Sequence, residues 1–557
     1  MITVQRWVLA VSVTALVGAT PGLALADSST VGKPATFAKQ GVSIKRLTAG
    51  VQMTKDDPVP ARAFGGPSHM LADPSNPRII VAATEELRTR VCYLMRSSNA
   101  GRTWQILPAL PAPGSYPYCT SNTAGVPLSN LAWGRDGTLY YALDGYDNAD
   151  GGDSSHANYS VLLSRSTNLG NSWTSTVAVA NRGKTGPNVT HAGPVTGLAV
   201  DTSGPKDVVY LGFSESFPNA ATGSPQKGDN TMVAVSTNGG ATFGAPVNIN
   251  TFSHVTYTIG GTAYPLDLSS FGTPYLAAHD GVVIAVAGGN GTLAANIPST
   301  NNGLPELVAR SADQGRTWTV STLSPAVVTP TGAQTGMGWT PKGGPYGTFL
   351  ATYAATPDEG TYAAPQILLQ RSTDAGLTWS SPVVLDDDTN ASQLYTSFFP
   401  QLNVAPNGRV DVIWWDNRRS NQYSYDIYYS WSTNGGVTWS HNLRVTDQPS
   451  NFGAGISFGS DVRQPPGVAS ANQYAAFGWT DTRFATSVTE TQDNFGSVAE
   501  FAPVPSSTNA LVPVLAAVFA GLLIAGLVLI VLISGRRRRG GPTPPPSVEA
   551  REPVGTA

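Results

Sequence analysis

Short apolar runs separated by turn residues dominate this chain. From Pro67 it reads "PSHMLA", a turn, "RIIVAAT", a loop, "VCYLMRS", an eight-residue polar stretch and "WQIL". Runs of that length, alternating or wholly apolar and bounded by turn residues, predict four strands. The succession recurs, giving six four-strand units between Pro67 and about Val445. Beyond the sixth, "YAAFGWT" from Tyr474 and "SVAEF" from Ser497 offer most of another unit, and "VSIKRLTAG" near Val42 offers its missing outer strand. Joining first to last would close a ring of sheets and remove exposed edges. The expectation is an all-β propeller of seven blades, with six as the alternative.

The polar stretch between third and fourth strands is itself a repeat. Its copies are "SSNAGRTW" from Ser97, "STNLGNSW" from Ser166, "STNGGATF" from Ser236, "SADQGRTW" from Ser311, "STDAGLTW" from Ser372 and "STNGGVTW" from Ser432. The spacing of roughly 60 to 75 residues indicates a repeat architecture. Asp or Asn at the third place can bond its own backbone two residues on, and Gly supplies the positive φ of a tight turn. The terminal Trp, or Phe243 in one copy, presents a large apolar face for burial between neighbouring sheets. The octet is first a folding device.

These six octets resemble the Asp box, or bacterial neuraminidase repeat, of the sialidase superfamily, over about residues 68 to 500. The resemblance implies a propeller. For activity it implies a retaining exo-sialidase, with three arginines on the substrate carboxylate, a Tyr nucleophile activated by a Glu, and an Asp acid/base. Guanidinium forks suit a carboxylate, and a Tyr–Glu pair suits a cationic transition state. The chain departs from that pattern. The family's Phe/Tyr-Arg-Ile-Pro motif has no counterpart, no Asp lies between Glu86 and Ser97, and no arginine lies between Arg182 and Arg310. Fold and function separate readily, so the missing roles weigh against assigning the activity from the fold.

Two apolar segments lie outside the propeller pattern. Arg6, the run Trp7 to Val17 and "PGLALA" ending at Ala26 read as a signal peptide over residues 1–26. Residues 27–66 follow as an N-terminal segment with the closing strand, 67–503 as the propeller and 504–510 as a linker. The uncharged run 511–533 is long enough, at about 1.5 Å per residue, to cross a bilayer core of about 30 Å. "RRRR" at Arg536 to Arg539 places the Pro-rich tail 534–557 on the cytoplasmic side and the propeller outside, at the cell surface. Export makes a disulfide the expected state of the two cysteines, Cys92 and Cys119. A net charge of −3 gives no basic footprint for nucleic acid.

Because the octets join third to fourth strands, loops joining second to third lie on the opposite rim, where propellers bind ligands. There the chain carries Glu86 and Arg88; Glu215; Asp416, Arg418 and Arg419; and Asp481 and Arg483. Glu215, Tyr425 and Asp416 are the catalytic candidates, and Glu86, Arg88, Asp416, Arg418, Arg419, Asp481 and Arg483 are the ligand-binding candidates. "WDNR" and "WTDTR" recur at equivalent positions, which favours a structural ion pair, although such pairs beside Trp and Tyr could also form a sugar-binding shelf. Asp144, Asp147, Asp150 and Asp153, with intervening glycines, are candidate Ca²⁺ ligands, since calcium takes six to eight oxygens. The six histidines show no zinc-ligand spacing. Two functions remain open: recognition of a glycan or extracellular protein at the cell surface, and glycoside hydrolysis.

Overall fold

The computed structural model describes residues 33–502 except 56, 58–62, 112–115, 121–129, 148–158, 181–190, 217–229, 250–254, 260–261, 272–273, 293–305, 324–334, 356–364, 388–396, 420–423, 452, 456–464 and 487. Among these residues no helix is long and apolar enough to cross a membrane. The expected leader 1–26, linker 504–510, apolar run 511–533 and tail 534–557 lie outside them.

Seven sheets of four to six strands make seven blades, over residues 70–106, 118–180, 191–248, 255–322, 335–384, 397–451 and 467–501, with strands from the N-terminal side added to the fifth and seventh. Each of blades 1 to 6 orders its four main strands as the chain does, and blade 7 takes its outermost strand, Ile44–Leu47, from the N-terminal side. The second strands read as continuous apolar runs because both of their faces are covered. Ile80–Glu86, Val410–Asp416 and Tyr474–Asp481 are buried at every residue. Strands buried on both faces lose the alternation of a half-solvated sheet.

The core is divided among seven clusters, each lying in the seam between two adjacent blades. The seam between blades 6 and 7, for example, joins Ile413, Trp415 and Tyr429 to Phe477, Phe495 and Phe501. Each octet tightens one such seam. In all six copies the Ser hydroxyl accepts from the Gly N–H and donates to the Asp or Asn, as in Gly101 N to Ser97 at 2.9 Å and Ser97 to Asn99 at 3.0 Å. The fourth octet residue as well as the fifth is left-handed, for example Leu169 at φ 59° and Gly170 at φ 84°. The octet Gly meets the preceding blade: a Cβ on Gly170 would lie 2.5 Å from Leu94, and one on Gly376 would lie 2.3 Å from Ile284.

An arginine immediately before the octet Ser ties the same seams. Arg96, Arg165 and Arg310 each donate to the carbonyl of the fourth residue of the next octet, Leu169, Gly239 and Ala375, at 3.0, 3.3 and 2.7 Å. Cys92 of blade 1 and Cys119 of blade 2 are joined in a disulfide.

The N-terminal segment does more than close blade 7. Lys33–Pro34 pairs in parallel with Val383–Val384 of blade 5, Phe37 bridges to Trp439 of blade 6, and Ile44–Leu47 and Val51–Gln52 pair with Asp493–Phe501. Phe64 then bridges to Glu86 of blade 1. One stretch of chain thus laces four consecutive blades.

Candidate functional site

The rim opposite the octets is formed where second strands end and third strands begin. On blades 6, 7 and 1 the second strand ends in an acid, then one residue, then arginine: Asp416 and Arg418, Asp481 and Arg483, Glu86 and Arg88. The corresponding loops of blades 2 to 5, at 148–158, 217–229, 293–305 and 356–364, lie outside the described residues.

Blades 6 and 7 build the same device. Asp416 is buried and accepts from Trp414 Nε1 at 3.2 Å, from the Arg418 N–H at 2.8 Å, and from Arg418 Nε and Nη2 at 2.9 and 2.7 Å. Asp481 accepts from Trp479 Nε1 at 3.0 Å, the Arg483 N–H at 2.8 Å, and Arg483 Nε and Nη2 at 2.9 and 2.7 Å. Each guanidinium lies over a ring of the third strand, Arg418 over Tyr428 at 4.2 Å and Arg483 over Phe495 at 3.9 Å. Each then reaches the preceding blade. Arg418 Nη1 bonds Asp387 at 2.9 Å, its Nη2 approaches Asp386 at 3.4 Å, and Arg483 Nη2 bonds Asp447 at 2.8 Å.

These pairs work as braces across seams. Both oxygens of each acid are occupied, and each fork already holds carboxylates. Burial lowers the Arg418 pKa, but the Asp416 charge and hydrogen bonds outweigh it and the net shift is upward. Burial, and next the Asp416 charge, push the Asp386 carboxyl up to about 7. The partner acids Asp386, Asp387 and Asp447 carried a signal that the sequence reading passed over: they follow the fourth strands at matching places, in "VVLDD" and "LRVTD".

Blade 1 differs. Glu86 is buried and accepts from the backbone N–H groups of Ala63, Arg88 and Thr89, so it caps its own loop. Arg88 reaches forward to the Thr489 carbonyl of blade 7 at 2.8 Å. Arg419 is exposed and makes no ion pair among the described residues.

Tyr425 is buried, its hydroxyl donates to the Thr480 carbonyl at 2.7 Å, and its ring stacks on Trp415 at 4.0 Å. Burial raises its pKa far above that of a free phenol, with the Asp481 charge adding to the effect. Glu215 lies on the strand Val208–Ser216, opposite Ala192 and Asn230. Asp144 is buried and turns both carboxylate oxygens to the Val195 N–H at 3.0 Å, and burial raises its pKa. Asp147 is exposed, whereas Asp150 and Asp153 lie outside the described residues. Among the described residues no group of three or more His, Cys, Asp or Glu is placed to hold a metal.

One acid went unnoticed in the sequence. Glu306, the first residue of the third strand of blade 4, is buried, its Oε2 lacks a partner among the described residues, and burial pushes its pKa up to about 8. Nothing marked it, since it follows a Gly- and Asn-rich loop like many strand starts.

No family model and no curated protein matches the chain. Among solved structures it is similar to a protein of unknown function from Dyadobacter fermentans, at 14% identity and TM-score 0.41, covering 83% of this chain and 100% of that one. It is also similar to a GH93 α-L-arabinofuranosidase of Fusarium graminearum, at 14% identity and TM-score 0.39, covering 66% and 92%. A Hadza microbial sialidase is similar at 13% identity and TM-score 0.40, covering 84% and 94%.

Proposed function

We propose that this chain is a cell-surface recognition propeller, sialidase-like in fold, that binds a glycan or an extracellular protein across the rim formed by blades 6, 7 and 1. The observation that carries the reading is the closure of the two acid–arginine devices. Asp416 and Asp481 are tied to Arg418 and Arg483, which are tied in turn to the preceding blades, and the Tyr425 hydroxyl is buried on a carbonyl. A carboxylate clamp needs free forks and a nucleophile needs an accessible oxygen. Arg88, Arg419 and Phe484 are exposed on the same rim. In this reading residues 1–26 direct export and residues 511–533 anchor the protein, with the propeller outside. Calcium would be held by Asp147, Asp150 and Asp153, and chelation would then lower the melting temperature.

Glycoside hydrolysis is the second reading, and it is favoured by the Asp386 carboxyl pushed up to about 7 beside Asp416, since a carboxyl protonated near neutral pH suits a general acid. The test is a glycan array probed with the purified full chain, run beside fluorogenic sialosides and neutral glycosides. Saturable glycan binding without turnover supports recognition. Turnover that Asp386→Asn abolishes moves the assignment to hydrolysis, and neither binding nor turnover removes glycans as ligands.

A further inference from the structure

The octet face carries a cleft of about 560 Å³ between blades 2 and 3, away from the rim discussed above. That volume falls in the range of about 300–1,000 Å³ usual for small-molecule sites. One of its lining residues is an octet glycine. The fourth place of the octet holds a side chain in four copies but glycine in two, Gly239 and Gly435. At Gly435 the space is plugged, since a Cβ there would lie 2.8 Å from both Gly343 Cα and the Lys342 carbonyl oxygen. At Gly239 it is open: a Cβ would meet only the Tyr140 hydroxyl, at 3.4 Å.

The charges around the opening are unbalanced. Asp207 accepts from the Tyr140 hydroxyl at 3.0 Å and the Arg135 N–H at 3.1 Å, and Asp136 accepts from the Thr138 N–H at 3.0 Å, so both acids in the wall are occupied. The three cations meet no carboxylate among the described residues. The Arg135 side chain donates to the carbonyls of Thr202 and Ser203, Arg165 donates to the carbonyl of Gly239, and Lys206 is exposed. Trp173 lines the same cleft with an indole, whereas the Ser172 hydroxyl and the Asn238 amide at its lip are held within their own octet turns by Asn168 and by Ser236 and Thr242. Guanidinium and ammonium groups recognise an anion, and an indole takes the apolar face of a sugar ring.

We propose that the cleft at Gly239 is a second binding site, for a small anionic sugar seated against Trp173 with its acidic group between Arg165 and Lys206.

The substitution Gly239→Leu tests this without touching a charge. Gly239 has φ 69°, and the equivalent Leu169 sits at φ 59°, so leucine is already accepted at this backbone conformation in the neighbouring octet. Calorimetric titration of the full chain in lipid nanodiscs uses D-glucuronate and glucose 6-phosphate as probes and glucose as the neutral control. Saturable binding of at least one anion is expected, with none for glucose, loss in Gly239→Leu, and about fivefold weakening in Lys206→Ala, the worth of one exposed charge contact. Binding of both probes means that the cleft reads charge, whereas binding of glucuronate alone means that it reads the planar carboxylate. No binding of either anion, equal binding of glucose, or wild-type affinity in a folded Gly239→Leu protein overturns the proposal.

Discussion

Replacing Arg418 with methionine separates a brace from a ligand-binding residue. Methionine keeps an unbranched apolar stem over Tyr428 but removes five side-chain hydrogen bonds, to Asp416, Asp386, Asp387 and Asn442. Breaking a buried ion pair by deleting one partner costs about 3–5 kcal/mol. The Arg418 side chain retains 12% exposure, so the lower end, about 3 kcal/mol, applies. Unfolding entropy of about 2.1 cal/mol/K per residue gives roughly 0.9 kcal/mol/K for the residues spanning 70 to 501, so the melting temperature should fall by about 3 °C.

The loss should depend on pH. Asp386 ionises in the unfolded chain near the ordinary carboxyl value of 3.8 and in the folded protein at about 7. Its contribution to stability is therefore whole below about pH 4 and is lost as pH rises through 7. Without Arg418 the ionised form loses its counter-charge, so the variant should lag the wild type more at pH 8 than at pH 5. Thermal melts at both pH values read this directly. A variant that melts within about 1 °C of wild type at pH 8 but no longer binds glycan would refute the brace and return Arg418 to the ligand.

Three further outcomes follow from the same geometry. Replacing Cys92 and Cys119 by serine removes a cross-link between residues 27 apart and should cost about 3.5 kcal/mol by loop entropy, read as a melting shift that reducing agent reproduces in the wild type. Gly376→Ala puts a Cβ at φ 81° and 2.3 Å from Ile284 and should cost about 2–3 kcal/mol, whereas Ala375→Gly at φ 59° should be near neutral; equal effects in denaturant titrations would remove the role given to the octet glycine. Glu306→Gln should abolish a decline in stability that the wild type shows as pH rises from about 4.5 to about 8, because the folded carboxyl holds its proton across that window; parallel melting curves for the two proteins would contradict the burial assigned to it.

The propeller was legible because its signals are local and repeated. Octets and apolar runs give strand order, and strand order alone separates the octet face from the rim. Seven rather than six blades followed from segments near Val42 and Tyr474 that had no other sheet to join. Some local signals went unread. The hairpin of Val255–Ile259 and Thr262–Phe271 has an alternating pattern around a Gly-Gly pair, yet it fell between two units and was passed over. The site was less legible because its bonds join residues far apart in sequence. Asp416 and Arg418 were visible as a pair, but Asp386 and Asp387 lie about 30 residues earlier, and only the folded ring brings them to the same guanidinium.

Arginine braces lie on both faces of the ring, and on the octet face Arg409 ties blade 6 to blade 7 and Arg102 ties blade 7 to blade 1. On the octet face, arginines before the octet tie blades 1 to 2, 2 to 3 and 4 to 5. On the opposite rim, the Arg418 and Arg483 devices tie 5 to 6 and 6 to 7, and Arg88 ties 7 to 1 through the Thr489 carbonyl. The N-terminal segment laces those same blades, 5 through 1. This is the part of the ring where Ile44–Leu47 meets Asp493–Phe501 and where blade 7 has no octet, so covalent continuity and the repeat device both stop there. A closed ring needs its last seams to be as strong as its first, which explains why the repeated acid-x-Arg pairs cluster there without requiring an active site. A full chain lacking residues 33–47 should then expose Asp493–Phe501 as a free edge, lose monodispersity in size-exclusion chromatography and melt below every point variant above. A monodisperse protein with unchanged melting would mean that the rim devices alone close the ring.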